Sequence, residues 1–356
     1  MSLHAIDDIG DAIDATKSFL LPFAASTWLK LAVVVFFIGG GGGGFNGLQN
    51  VGNFGGQDQP ADGGAGQPAP EELPSTFDGV LAEFGTELFV IIGLAAFLIL
   101  VFGLLSNFME FVFVESLVSR EVHVRQYLRE NVGNGLRLFG FRLVLSLLSL
   151  LLVVGFLYTV FVTAFGGSLD NITVDAVFTI LPLAIVFFLV VAVFQGLATG
   201  FTNMFVIPMM LTSSRGVLAS WKRLLGSMRR NIKQYLGYLV FSIVLNIGVG
   251  IIGGILGIVA VLLLAIPFVL IAALCWFGLG GGHVALALVG VTVVLFAISF
   301  LLVTNLIQVP LQAFMRYYAM LVLGDVDADL DPMPAVRDDI RADEVTNDES
   351  TAAGGA

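Results

Sequence analysis

Apolar residues run through this chain in long blocks, at roughly 27 to 40, 88 to 105, 143 to 165, 176 to 198, 236 to 277 and 284 to 307. Most exceed the ~18 residues that crossing a bilayer core requires, a length with no use inside a soluble domain. The pattern predicts an all-α integral membrane protein with six transmembrane helices. The block at 236 to 277 is too long for one span and is broken by Gly248, Gly250, Gly253, Gly254, Gly257 and Pro267. It reads either as one span followed by an outer re-entrant or interfacial segment, or as two spans, seven in all. From Leu236 to Asn305 is 69 residues, against 64 from Phe139 to Asn203, where two spans fit, and this favours six. Gly250-x-x-x-Gly254 and Gly253-x-x-x-Gly257 are spacings that let helices pack closely in lipid.

The polar positions repeat. Three apolar blocks run out into Ser106-Asn107, Thr202-Asn203 and Thr304-Asn305, separated by 96 and 102 residues, with Pro208 and Pro310 each five places after an Asn. Two hairpins also begin alike: Asn134 leads to Gly140-Phe141, and Asn231 to Gly237-Tyr238. Ahead of each hairpin lies a stretch with helical apolar spacing and a polar reverse side. In the third copy the apolar face is Val217, Leu218, Trp221, Leu224, Leu225, Met228 and Ile232. The second offers Leu117, Val118, Val122, Tyr127 and Leu128, and the first Leu3, Ile6, Ile9, Ile13 and Leu20 against four Asp. The expected layout is three tandem helical hairpins, each preceded by an amphipathic cytoplasmic surface helix. Unit 1 spans 1–116 with a Gly-rich outer loop at 39–85, unit 2 spans 117–211 and unit 3 spans 212–324, before a disordered acidic cytoplasmic tail at 325–356.

Composition agrees, with 57% hydrophobic and 12% charged residues. The net charge of −11 changes the picture only once the acids are located. None lies between 176 and 324, and the tail holds ten of the 27. Acidic, Lys-poor water-facing segments are expected of a protein in concentrated salt, and point to a halophilic archaeon. The bases set the orientation. Arg120, Arg125, Arg129, Arg137 and Arg142 in one connection, and Arg215, Lys222, Arg223, Arg229, Arg230 and Lys233 in another, mark cytoplasmic segments, whereas 41–84, 166–174 and 278–283 carry no Lys or Arg. Both termini are then cytoplasmic. The acidic first 14 residues are the wrong charge for a cleaved signal. Asn171-Ile172-Thr173 matches a glycosylation sequon in a loop too close to the membrane for its use.

Candidate chemistry is sparse. Cys275 alone excludes a disulfide within the chain, and His4, His123 and His283 lie too far apart for a shared metal site. No nucleophile elbow, zinc-binding helix pair or phosphate loop is present, and a nucleic-acid partner has no support. The reading is no enzyme, no cofactor and no metal. What remains is intramembrane polarity, which is costly and so marks candidate sites. Gln195, Thr199 and Asn203 recur on one helix face, Asn305, Gln308, Gln312 and Arg316 stripe another, and Asn107 and Glu110 hold the matching place on a third. If the hairpins surround a common axis, Asn107, Glu110, Gln195, Asn203, Asn305 and Gln308 form either a polar vestibule or a set of interhelical locks. Lys222, Arg223, Arg229, Arg230 and Lys233, beside Trp221, are candidate contacts for anionic lipid head groups.

The opening of the chain, Ala5-Ile6-Asp7-Asp8, Asp11-Ala12-Ile13-Asp14-Ala15-Thr16, Leu21-Pro22-Phe23, Trp28-Leu29-Lys30-Leu31-Ala32 and Phe36-Phe37-Ile38-Gly39-Gly40, resembles a family of haloarchaeal membrane proteins of unknown function. Ser220-Trp221 and the Asn-bearing helix ends carry the likeness through most of the chain. The layout is also distantly similar to the membrane domains of some bacterial glycerophosphodiester phosphodiesterases, without their catalytic barrel. The resemblance implies fold and habitat and brings no substrate. Two function classes stand: a non-enzymatic membrane-organising or accessory component, in contact with lipids and an unidentified membrane partner, and a carrier or channel for a small solute or lipid.

Overall fold

The computed structural model describes residues 4–41, 77–168, 173–213 and 216–342. The centre of the Gly-rich loop, Asn171-Ile172 of the sequon, Arg215 and the last fourteen residues of the acidic tail lie outside them. Among the described residues all regular structure is helical. Helices satisfy their own backbone polar groups, which is what hydrocarbon surroundings demand.

The order is α1 (His4–Leu20), α2 (Ala25–Val35, continued by a wide π-type turn, Phe36–Gly41), α3 (Phe77–Ser119), α4 (Val124–Glu130), α5 (Val132–Ala164) and α6 (Val174–Phe201). A second wide turn, Thr202–Val206, joins α6 to α7 (Ile207–Ser213); then come α8 (Val217–Arg230), α9 (Ile232–Gly278), α10 (His283–Val326), a 3₁₀ turn at Ala328–Leu330 and α11 at 334–342. Five helical stretches are long and apolar enough to cross a membrane: Phe89–Ser119, Val132–Ala164, Val174–Ser213, Ile232–Gly278 and His283–Val326; Ala25–Gly39 is apolar but shorter. These mark an α-helical membrane protein. The stretch expected to break at its glycines or at Pro267 is one unbroken helix of 47 residues, roughly 70 Å at 1.5 Å per residue. The helix makes no turn at either place. Of the two glycine motifs, only Gly253 faces a close neighbour, with the position a Cβ would take 3.0 Å from Leu311 Cδ1. Gly250, Gly254 and Gly257 are open.

Burial divides the molecule into two zones. The long helices expose aliphatic side chains along most of their length, such as Leu151 at 68% and Leu263 at 67%. Exposure on that scale is untenable in water and unremarkable in lipid. The packed core sits at one end. Residues 317–323 of α10 are buried on every side, forming a post against which α1, α2 and the turn at 202–206 pack. Tyr317 Oη donates to the Leu117 carbonyl (2.8 Å), tying the post to α3. Tyr318 stacks on Tyr238 at 5.7 Å and Tyr238 packs on Phe205 at 4.7 Å, which joins α10, α9 and the wide turn.

Two elbows are built alike. Asn131 closes α4 and opens α5, and Asn231 does the same between α8 and α9, with φ/ψ of −103°/13° and −123°/37°. Each amide side chain fastens the elbow to the end of a long helix: Asn131 Nδ2 donates to Glu115 Oε2 (2.5 Å) and Asn231 Nδ2 to the Val326 carbonyl (3.3 Å). One turn into α5, the position of a Cβ on Gly135 falls 2.0 Å from Phe108 Cδ1. Gly135→Ala is therefore expected to destabilise the packed end by roughly 1–3 kcal/mol through overpacking, read as earlier unfolding on titration from mild to denaturing detergent. Gly133→Ala, where nothing lies within 4 Å, is the control.

The expected surface helices differ from their sequence reading. In α1 the buried stripe is Asp8, Asp11, Ala12, Ala15 and Leu20, while Ile13 is exposed. The aspartates point inward because cations wait there. In α8 the apolar face splits: Val217 and Leu224 are buried, Leu218 and Leu225 are exposed. Trp221, on the apolar face of the sequence reading, donates from Nε1 to Thr202 Oγ1 (3.2 Å). The tail also differs over its described part. Residues 325–342 fold back on the body, with Leu330, Met333, Val336 and Ile340 in the core.

Candidate functional site

The central polar cluster is assembled by the wide turn after α6. Its Ile207 N–H donates to the Thr202 carbonyl, five residues back. In that register the Asn203 carbonyl would need the N–H of residue 208, which is proline and has none. The vacancy is filled from across the core, where Arg316 Nη1 on α10 donates to the Asn203 carbonyl. Arg316 Nη2 pairs with Glu110 Oε2 on α3. From α5, Arg142 donates to Asn107 Oδ1 (2.8 Å), Glu110 Oε1 (3.3 Å) and Asn203 Oδ1 (2.5 Å). Asn107 Nδ2 returns to its own helix at the Gly103 carbonyl (2.6 Å).

Four elements thus meet at one buried carboxylate and two guanidiniums. Asn107, Glu110 and Arg316 are almost wholly buried. A lone carboxylate there would be prohibitive, and pairing with hydrogen-bonded arginines is what permits it. The cluster carries one net positive charge, and its acceptors are engaged by its own donors, leaving Arg142 Nε as its unpartnered atom. Of the six candidate residues, Asn107, Glu110 and Asn203 come together. Gln195 stands apart and accepts from Ser149 Oγ (2.9 Å), linking α6 to α5. Asn305 bonds the Leu301 carbonyl of its own helix (2.7 Å), and neither it nor Gln308 joins the cluster. In the sequence Arg142 stands only as a topological charge and Arg316 only as one of a stripe. The signal that could have found them is Glu110 itself, since an acid in an apolar helix requires a cation.

A second cluster locks the folded part of the tail. Arg341 of α11 donates to Asp11 Oδ2 (3.0 Å), Asp8 Oδ1 (3.3 Å) and Asp325 Oδ2 (2.7 Å). Arg337 pairs with Asp325 (3.3 Å) and Asp331 (2.9 Å), and Arg120 with Asp339 (2.7 Å). Burial above all, reinforced by a hydrogen bond with Asp325, pushes the Asp8 carboxyl up to about 8, so it holds a proton at neutral pH. Neighbouring carboxylates hold the Arg341 guanidinium more firmly charged than usual. Among the candidate lipid-contact residues, Arg230 is taken by Asp327 (2.8 Å) and Arg223 Nη2 donates to the Asp329 carbonyl (3.5 Å). Lys222, Arg229 and Lys233 are exposed. Among the described residues no group of three or more His, Cys, Asp or Glu is arranged to hold a metal ion.

No curated protein and no solved structure matches this chain. A family model does, along residues 3–333, nearly the whole chain. The chain belongs to that family, described as a family of unknown function, DUF7544.

Proposed function

We propose that this chain is a six-span membrane protein of three like-oriented helical hairpins, with both termini cytoplasmic, that serves as a non-enzymatic organising or accessory component of the cell membrane of a halophile. The observation that carries the reading is the two-zone burial: bare aliphatic helices above, and below them an end locked by buried ion pairs. Glu110 is held by two arginines, which suits a structural clasp better than a site awaiting a ligand. The apolar helix Ala25–Gly39 supplies the sixth span, roughly 22 Å long against a ~30 Å hydrocarbon core. The paired elbows at Asn131 and Asn231 support the tandem arrangement. The acid excess supports the halophilic habitat, because contact ion pairs survive where the Debye length falls to ~3 Å.

Cys275 makes the topology testable without added cysteines, since it lies three residues from the end of α9. In intact cells a membrane-impermeant maleimide is expected to label Cys275 from outside. In a Cys275→Ala background, Arg125→Cys and Lys222→Cys should react only after permeabilisation. Labelling of positions 125 and 222 from opposite sides would end the reading. The second reading, passage of a small solute or lipid, draws on the amide stripe Gln195, Thr199 and Asn203, and a proteoliposome flux screen tests it. Against it, no carboxylate lies between 176 and 324 to couple an ion.

A further inference from the structure

Most buried arginines in this chain are matched by acids. Three neighbouring cations on its cytoplasmic side are not. An open groove of about 810 Å³ lies between the first turns of α2 and the short helix α4. Lys30 lines it from α2, and Arg125 and Arg129, one helical turn apart, line it from α4. Among the described residues, Lys30 Nζ donates to the Val122 carbonyl, at 3.5 Å. Among the described residues neither Arg125 nor Arg129 has a carboxylate partner. The lone carboxylate of the groove, Glu130, accepts instead from Gln126 Nε2 (3.1 Å). In a chain with 27 acidic residues against 16 Lys and Arg, these three exposed cations form a positive patch open to an outside anion.

The surroundings say what kind. Next to Lys30 on α2, Leu29 is 50% and Val33 48% exposed, and just past Glu130 the first turns of α5 expose Val132 and Leu136. The groove therefore sits where apolar spans begin, with bare aliphatic side chains on both flanks. A soluble anion would satisfy the cations and leave that apolar surface uncovered. An amphiphile with a phosphate at one end and alkyl chains at the other answers both, and guanidinium groups suit phosphate oxygens through paired donors. We infer that this groove is a binding site for the phosphate head group of an anionic phospholipid of the cytoplasmic leaflet, gripped by Lys30, Arg125 and Arg129, with its chains along α2 and α5. Lys30 on one helix and Arg125 and Arg129 on another line a single groove, which distinguishes them from the exposed cations Lys222, Arg229 and Lys233.

The site presupposes the membrane placement proposed above. The test titrates the full-length chain, in neutral detergent at moderate salt, with phosphatidylglycerol, phosphatidylcholine and inorganic phosphate, and reads bound lipid by native mass spectrometry. The triple variant Lys30→Gln, Arg125→Gln, Arg129→Gln is expected to lose about a hundredfold in affinity for phosphatidylglycerol. The control variant Lys17→Gln, Arg137→Gln, at exposed cations away from the groove, should stay within about threefold of the parent, and inorganic phosphate should not displace the lipid. A groove variant that binds as the parent does, or displacement by inorganic phosphate at equal concentration, overturns the site. Should the triple variant aggregate, Arg129→Gln alone, on an exposed side chain, is expected to lose about fivefold, with unchanged affinity again decisive against. Sedimentation of the parent with membranes is read separately, so failure of the membrane placement and failure of the groove give different results.

Discussion

Glu110→Gln is expected to be the most damaging conservative substitution in this protein, at roughly 3–5 kcal/mol, the range found when one partner of a buried ion pair is removed. The amide keeps the shape and removes the charge, so Arg142 and Arg316 are left facing each other without an anion between them. Desolvation of two guanidiniums is then offset only by the neutral oxygens of Asn107 and Asn203. Arg316→Gln should cost less, about 2–3 kcal/mol, because the Glu110–Arg142 pair remains neutral and the principal loss is the donor to the Asn203 carbonyl. The ordering carries the argument. Unfolding the purified chain from mild into denaturing detergent, followed by helix signal, checks it. If Arg316→Gln unfolds at lower denaturing detergent than Glu110→Gln, the cluster is held by the carbonyl cap and not by charge balance. A double variant Glu110→Gln, Arg316→Met removes one acid and one base and should recover part of the loss.

This cluster shows what the sequence could and could not say. Asn107, Glu110 and Asn203 stood out because polar groups in apolar helices are rare, and rarity needs no structure to be noticed. Asn305 shares with Asn203 the preceding threonine and a proline five residues on. It lies 11 residues before Arg316 on the same stripe, which is about 16 Å of helix rise. Periodicity reports the face of a helix and is silent on the depth at which that face meets its neighbours, so the stripe was legible and the level of contact was not. The spans were legible for a related reason, since length and hydropathy alone decide them. Even so, the five glycines at 248–257 suggested a break that α9 does not make, because in lipid an open helix backbone has no better alternative than staying helical. The acidic tail was read as solvated from its charge count. Its folding depends on Arg341 meeting Asp11, 330 residues away, and no window along the chain contains both.

That long-range contact gives the second large effect, a loss of α11 docking as pH rises. Asp8 is fully buried. Facing it are Asp325 at the end of α10, Arg341 of α11 and Asp11 of its own helix, with Arg337 beyond Asp325 and Tyr318 on the post. Burial first, then the hydrogen bond with Asp325, raises its carboxyl from 3.8 to about 8. The folded state therefore holds a proton that the unfolded state releases near 4, and the unfolded state binds fewer protons across the interval between. Stability from this group is full below about pH 4 and falls as pH climbs to about 8, where Asp8 ionises in place among carboxylates that outnumber the guanidiniums beside them. A one-proton linkage sets the ceiling at about tenfold per pH unit in the opening equilibrium. Hydrogen exchange of the amides of 334–342, corrected for intrinsic pH dependence, should show protection declining from pH 6 to 8 and levelling above it. Asp8→Asn supplies a permanent donor to Asp325 and cannot ionise, so its protection should stay level over the same range. An unchanged decline in Asp8→Asn would place the titrating group elsewhere and remove Asp8 as the pin that holds the first helix to the last.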